Sequence, residues 1–487
     1  MIVSADDPGL HSSQDEQDNR YYARAAKVGM LEPSNSQEAK DFVKVAMELS
    51  ERYDMPILLR LTTRVCHSKS IVDLSVSRTE VPFVPYTKKD KFNPIPAISK
   101  KLHSKVEKNL RELERYSNES PLNYIEWNSK KIGVVSSGIA YQYAKEVYGD
   151  KASYLKLGFT FPMPIEKIRE FASQVDELVV VEELEPVMEN DIKAAGITCI
   201  GKDRIPREGE LNPDILRKAL INEENETISY DSSTVAKRPP VLCAGCPHRG
   251  LFYELNKKKD VVVVSDIGCY GLAPKDIAIC MGGGFSVAHG AQKVFNMAKN
   301  GKRCVGVMGD STFFHSGMTS MLEAVYKSNV LLIVLDNRIT AMTGHQQNPG
   351  TGYTLSNEPT NITDISEVAS ALGVKHIKTV NPLKLEDVRK ALDWGLGFDD
   401  PALLITRWPC VLKKLSLADT DEFGNYKSVY TVDPDKCIGC KACIRTGCPA
   451  IEFHEDIKKA TIDRSQCVGC SVCAQVCPKN AIAREVK

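Results

Sequence analysis

Cys437-Ile-Gly-Cys440-Lys-Ala-Cys443 is followed by Cys448-Pro449, and thirty residues further on Cys467-Val-Gly-Cys470-Ser-Val-Cys473 is followed by Cys477-Pro478. Three thiolates at this spacing wrap one face of an iron–sulfur cubane, and the fourth cysteine of each run reaches the other cluster. The spacing predicts one [4Fe-4S] cluster on Cys437, Cys440, Cys443 and Cys477, and a second on Cys467, Cys470, Cys473 and Cys448. Zinc is the alternative, but it favours two pairs of ligands over two four-cysteine runs. The first run departs from the usual pattern: four residues, Ile444–Gly447, precede its last cysteine where three are expected. Such clusters pass one electron at a time, so the tail reads as wiring. Eight of the sixteen cysteines fall in this segment, a clustering that points to metal ligation in a reducing compartment rather than to disulfides.

A second constellation lies upstream. Cys304-Val-Gly-Val-Met-Gly309-Asp310-Ser311 reads as a buried strand ending in a tight turn, Thr312–Lys327 has helical periodicity, and Val330–Leu335 is a second strand ending at Asp336-Asn337. This unit puts Asp310 and Asn337 at the carboxyl ends of neighbouring parallel strands, where open α/β sheets bind ligands. A carboxylate, an amide oxygen and a backbone carbonyl there can contribute to a magnesium octahedron together with two phosphate oxygens. Either residue alone is more often part of a turn. The arrangement, with 26 residues between the two, is similar to the thiamine-diphosphate fingerprint. That resemblance implies Asp310, Asn337 and the Ile339 carbonyl as Mg2+ ligands, in a cofactor site that includes Gly309 and Ser311. Gly282-Gly283-Gly284, opening a helix after Cys280-Met281, offers a further nest of N–H groups for phosphate.

Four more segments carry a family resemblance: Cys243-Ala-Gly-Cys246-Pro-His-Arg249, Ser265-Asp-Ile-Gly-Cys269-Tyr270, Gly309-Asp-Ser-Thr-Phe-Phe-His-Ser-Gly317 and Leu335-Asp-Asn-Arg-Ile-Thr-Ala-Met-Thr-Gly-His-Gln346. With the tail and the N-terminal stretch Ala5–Arg20, they resemble the large subunit of indolepyruvate ferredoxin oxidoreductase over essentially the whole chain. The resemblance implies oxidative decarboxylation of aryl pyruvates to aryl-acetyl-CoA, with ferredoxin as acceptor and a smaller beta subunit completing a heterodimer. The thiamine cofactor would carry the chemistry while the protein positions it and leads electrons away. Related 2-oxoacid:ferredoxin oxidoreductases place a further cluster beside the cofactor, which implies Cys243, Cys246, Cys269 and Cys410 as its ligands here. Buried, inert thiols are the alternative. His11, His248, His315 and His345 sit in matching motifs; His315 and His345 are the catalytic candidates, against the more common structural role of a lone histidine.

The elements that must position these groups suggest an α/β multidomain protein. Residues 1–75 carry a helical pattern over Ser36–Tyr53 begun by Asn35 and a strand at Pro56–Leu61; the family resemblance implies that they are the remnant of a pyrimidine-binding thiamine domain. Residues 76–130 read as a linker carrying an exposed helix near Lys100–Tyr116. Residues 131–228 alternate strand and helix, which suggests a small α/β domain; the resemblance implies a transketolase C-terminal-like one. Residues 239–416 repeat strand–loop–helix units, and the resemblance implies the thiamine diphosphate- and magnesium-binding domain of doubly wound parallel sheets. A polar joint, Ala418–Lys427, leads to a two-cluster ferredoxin-like α+β domain over 432–487.

Lys+Arg and Asp+Glu both total 63, so no charge excess argues for nucleic acid or a membrane surface. The longest aliphatic runs are too short to span a bilayer. Met1-Ile-Val-Ser-Ala-Asp-Asp has no signal-peptide pattern, so a cytoplasmic enzyme is expected. The family resemblance begins inside a domain, and the glutamate that would protonate the cofactor's pyrimidine ring has no match in 1–75. The chain therefore reads as an N-terminally truncated or split large subunit, with Ile2–Ala5 as a strand lacking its parallel neighbours. A catalytically incomplete electron-transfer scaffold and a non-oxidative thiamine decarboxylase are the competing readings. The first is favoured by the missing segment and opposed by the Asp310/Asn337 pair; the second leaves the tail unexplained.

Overall fold

A computed structural model describes residues 1–487 apart from 76–79, 81, 88, 94, 227, 236–238, 327, 425–427 and 486–487. The chain divides into two compact units, Met1–Asp231 and Ser232–Lys487. The expected 1–75 and 131–228 domains thus share one unit, and the thiamine-type domain and the cysteine tail share the other.

In the first unit, β1 (Ile2–Asp6), β2 (Gly29–Leu31) and β3 (Ile57–Thr62) form a parallel sheet in the order β1-β3-β2. The expectation that the first strand lacks parallel neighbours is overturned: Ile2–Asp6 pairs in register with Leu58–Thr62. A later strand, Phe159–Phe161, adds antiparallel to β2, so residues of the expected second domain complete the first sheet. The helix Ser36–Tyr53 starts where Asn35 accepts the N–H of Glu38 at 2.9 Å. The helix expected to be exposed runs from Pro96 to Glu119 and buries one stripe, Asn109, Leu113 and Ser117. Leu113 enters the core beside Phe42 and Tyr53, which ties much of the expected linker into the unit. A second sheet, ordered Tyr124–Glu126, Ser153–Leu157, Ile132–Ser137, Glu177–Val181, is buried on both faces: Val134 and Val179 pack to one side, Val135 and Val180 to the other.

The second unit is built on a six-stranded, wholly parallel sheet. Its order is Ile277–Ala278, Val261–Ser265, Arg303–Gly309, Leu331–Asp336, Ala402–Arg407, His376–Val380. Successive residues alternate between two cores. Leu331, Ile333 and Leu335 face one; Leu332 and Val334 face the other. Two covered faces explain the continuous aliphatic runs of the sequence. The expected helix over Thr312–Lys327 is interrupted: a π turn, Phe313–Gly317, precedes a helix over Met318–Ala324, and Lys327 lies outside the described residues. The joint over 418–427 includes the helix Leu417–Phe423; its last three residues are likewise outside.

The tail contains two short antiparallel strand pairs, Tyr430–Val432 with Ile482–Arg484 and the hairpin Ile451–His454 with Lys459–Ile462. Val472 packs with Leu383 and Leu385, and Gln475 bonds both backbones, donating to Leu383 O at 2.7 Å and accepting from Leu385 N at 3.0 Å. No helix among the described residues is long and apolar enough to cross a membrane.

Candidate active site

The carboxyl ends of three neighbouring strands open onto one cavity of about 200 Å3. Its wall includes His248, Gly268, Cys269, Tyr270 and Met281, then Gly309–Thr312, then Asn337 and Ile339–Thr343. This is the crevice where open parallel sheets bind ligands, because chain turns and helix starts leave backbone groups free there.

Asp310 and Asn337 meet in this cavity. One polar atom of the Asn337 amide lies 2.6 Å from the Ile339 carbonyl oxygen and 3.3 Å from Asp310 Oδ1. As a nitrogen it would donate to both. As an oxygen it joins two others in a cluster that only a cation would hold together. The second orientation keeps the bond from Ile339 N to Asn337 Oδ1 at 3.3 Å. Asp310 is buried, and burial together with the nearby Asp336 carboxylate pushes its pKa up. A carboxylate so placed is stable as an anion only beside positive charge. The donor set, one carboxylate, one amide oxygen and one carbonyl, is that of a hard divalent cation.

The glycine nest differs from expectation. Gly282 N donates to Asp266 Oδ2 at 2.8 Å, Gly284 N donates to Asp266 Oδ1, and Gly283 N donates to Cys280 O at 3.0 Å. A buried carboxylate therefore fills the place expected for phosphate, and neither Gly282 nor Gly283 lines the cavity. Gly309 is in the wall, but its N–H donates to Tyr270 Oη at 2.9 Å; Ser311 also lines the cavity and lies against Thr340 Oγ1.

His315 and His345 are exposed and absent from the cavity wall, whereas His248 is buried within it. Burial lowers the His248 pKa to about 4, so this imidazole is neutral at physiological pH. His11 pairs with Glu210 in the first unit. Three further residues were not singled out from the sequence. Asn348 donates to Asp310 Oδ2 at 3.1 Å and to Ser311 Oγ at 3.3 Å, Asp266 holds the glycine turn, and Tyr270 braces Gly309. A lone Asn before Pro-Gly has no spacing signal that marks such a role.

The tail cysteines gather as two sets. One cavity is lined by Cys437, Cys440, Cys443 and Cys477, and another by Cys448, Cys467, Cys470 and Cys473. Backbone N–H groups point at the sulfurs, as from Tyr430 to Cys467 Sγ at 3.4 Å and from Ala481 to Cys477 Sγ at 3.2 Å; such bonds favour thiolate and tune a bound cluster. Burial, then the neighbouring thiols Cys470 and Cys448, push the Cys473 pKa well up.

Of the four remaining candidate ligands, Cys269 lines the cavity. Cys243, Cys246 and Cys269 lie within electrostatic reach of Cys410 or of one another. Burial first, then Cys243 and Cys410, push the Cys246 thiol up to about 12, against the lowering charge of Arg249. The Cys243-Ala-Gly-Cys246 turn also shares a backbone feature with the tail runs. Gly245, Gly439 and Gly469 have φ of +73°, +68° and +82°, a region that only glycine occupies cheaply. Among the described residues no three His, Cys, Asp or Glu side chains are placed to hold a single metal ion.

The family described as "Thiamine pyrophosphate enzyme, C-terminal TPP binding domain" matches residues 266–406, the stretch that builds the cavity, and "4Fe-4S dicluster domain" matches 428–481. Over 99% of this chain and 82% of its own length, the indolepyruvate oxidoreductase subunit IorA of Pyrococcus horikoshii is 36% identical. The chain belongs to the IorA family. The IorA of Methanothermobacter thermautotrophicus is 37% identical over 100% of this chain and 82% of its own length. A solved 2-oxoglutarate:ferredoxin oxidoreductase from Magnetococcus marinus aligns with 38% of this chain and 70% of its own at 19% identity and a TM-score of 0.34, too slight a likeness to carry weight. This IorA-family chain is an oxidoreductase with thiamine pyrophosphate-binding and iron–sulfur domains, equipped for 2-oxoacid oxidation coupled to ferredoxin-type electron transfer.

Proposed function

We propose that the chain carries out oxidative decarboxylation of aryl pyruvates such as indolepyruvate, releasing CO2, passing the acyl group to coenzyme A and delivering electrons to ferredoxin. A smaller beta subunit would complete the enzyme. The observation that carries this reading is that a thiol-bearing loop lines each of the two cavities. Cys269 lines the cavity that contains Asp310 and Asn337, and Ala244–Gly245, between Cys243 and Cys246, line the cavity ringed by Cys448, Cys467, Cys470 and Cys473. One such loop thus lies at the cation cavity and another at the tail cavity.

Asp310, Asn337 and the Ile339 carbonyl would hold Mg2+, leaving positions for two phosphate oxygens. Bound thiamine diphosphate supplies the carbanion stabilisation that no side chain offers. The chain's own residues do the rest. Asn348 and Ser311 fix the Asp310 carboxylate, Asp336 is held off by Arg407 at 2.7 Å, and the neutral His248 lines the cavity. The eight tail cysteines would carry two [4Fe-4S] clusters, and Cys243, Cys246, Cys269 and Cys410 a third.

The test combines the chain with its small partner subunit, thiamine diphosphate, Mg2+ and CoA without oxygen. Dye reduction that depends on indolepyruvate is expected, and Asp310→Asn should abolish it with the iron content unchanged. Absence of reduction from preparations with full iron would refute the enzymatic reading and leave an electron-transfer scaffold.

A further inference from the structure

Arg249 is buried, 5% exposed, and its bonds go to carbonyls rather than carboxylates. Nη2 donates to Leu242 O at 2.6 Å and Cys243 O at 2.9 Å, Nη1 donates to Thr446 O at 2.8 Å, and Nε has no partner. Among the described residues no acid pairs with it. A guanidinium cannot escape its charge by losing a proton, and an unpaired buried charge is costly. Its surroundings must therefore supply negative charge. The candidates are cysteines held as cluster thiolates: the charge of Arg249 acts on both Cys246 and Cys470, favouring their thiolate forms.

The anomalous spacing of the first cysteine run falls at this point. Ile444–Thr446 makes a tight turn, Gly447 follows with φ +69°, and a Cβ at Gly447 would sit 3.2 Å from Arg249 Nη1. The Thr446 hydroxyl ties the turn to Cys443 O at 2.6 Å. The longer spacer thus turns a carbonyl toward Arg249 immediately before Cys448.

Resting on the cluster assignment above, we propose that Arg249 is a positioning residue for electron transfer. It clamps the Cys243–Cys246 turn to the Cys448 loop, and its charge stabilises the reduced form of the cluster on Cys448, Cys467, Cys470 and Cys473. An added electron deepens the negative charge that the guanidinium offsets, so removing the cation must lower the midpoint potential.

Potentiometric titration followed by electron paramagnetic resonance reads this directly in the full chain. Parent protein purified without oxygen but carrying no iron would defeat the cluster assignment itself. With clusters present, Arg249→Met should lower the one-electron reduction constant of that cluster at least tenfold, a fall of 59 mV, while Arg249→Lys stays near the parent value. The cluster on Cys437, Cys440, Cys443 and Cys477 should move less. An unchanged midpoint in an iron-replete Arg249→Met overturns the proposal. If Arg249→Met fails to retain iron, Arg249→Lys decides: iron retained at the parent potential supports the role of charge, and iron lost there too shows packing alone and overturns it.

Discussion

The backbone N–H of Cys410 donates to the backbone carbonyl of Asn337 at 2.9 Å. One hydrogen bond therefore couples the strand-end residue of the cation cluster to a candidate ligand of the third cluster. It exists because the strand ending at Asp336 pairs with the one ending at Arg407, so both chains leave the sheet side by side.

This juxtaposition predicts iron content. A chain with a cluster on Cys243, Cys246, Cys269 and Cys410 should hold about twelve irons, and Cys410→Ser about eight, since each cubane carries four. Thiamine affinity should survive the substitution. Parent protein with about eight irons would remove the third cluster.

Asp266 yields a prediction about stability. Its carboxylate accepts from Gly282 N and Gly284 N, and burial raises its pKa to about 6. Asp266→Ala leaves two buried N–H groups without partners, at ~1–3 kcal/mol each. Asp266→Asn keeps an acceptor oxygen and should cost less. Urea unfolding of both variants checks the order; equal stability of Asp266→Ala and parent would show that the turn does not depend on this carboxylate.

Glu183 makes the first unit pH-sensitive. It is buried, and burial raises its pKa from 4.5 to about 7. The folded state thus favours the neutral acid. Its contribution is full below about pH 4.5 and is lost as pH rises through about 7, a swing of at most ~3 kcal/mol. Hydrogen exchange of peptides from 132–137 and 177–181 should show protection falling across that window in the parent and staying flatter in Glu183→Gln. Identical slopes would assign the pH dependence elsewhere.

Periodicity and spacing made much of this legible. The tail runs sort into the two cysteine sets that line separate cavities, because the x2 spacing is local and a left-handed glycine closes each turn. The strand-end positions of Asp310 and Asn337 follow from aliphatic runs that only a doubly covered sheet accommodates. The helix Ser36–Tyr53 carries its own cap.

Other features needed the tertiary structure. Gly282–Gly284 look like a phosphate nest until Asp266, from a different loop, is brought onto their N–H groups. His315 and His345 share motifs with cavity residues yet point elsewhere, since a π turn and a left-handed residue at His345 (φ +62°) redirect the chain. Their place in the wall is taken by His248, from a helix more than sixty residues upstream of Asp310. Arg249 and Thr446 lie 197 residues apart. Sequence alone determined which residue types recur at ligand spacing, because that is a property of adjacent turns. Which of them face one another was decided by packing, because burial and unpaired charge are settled only when distant segments close over them.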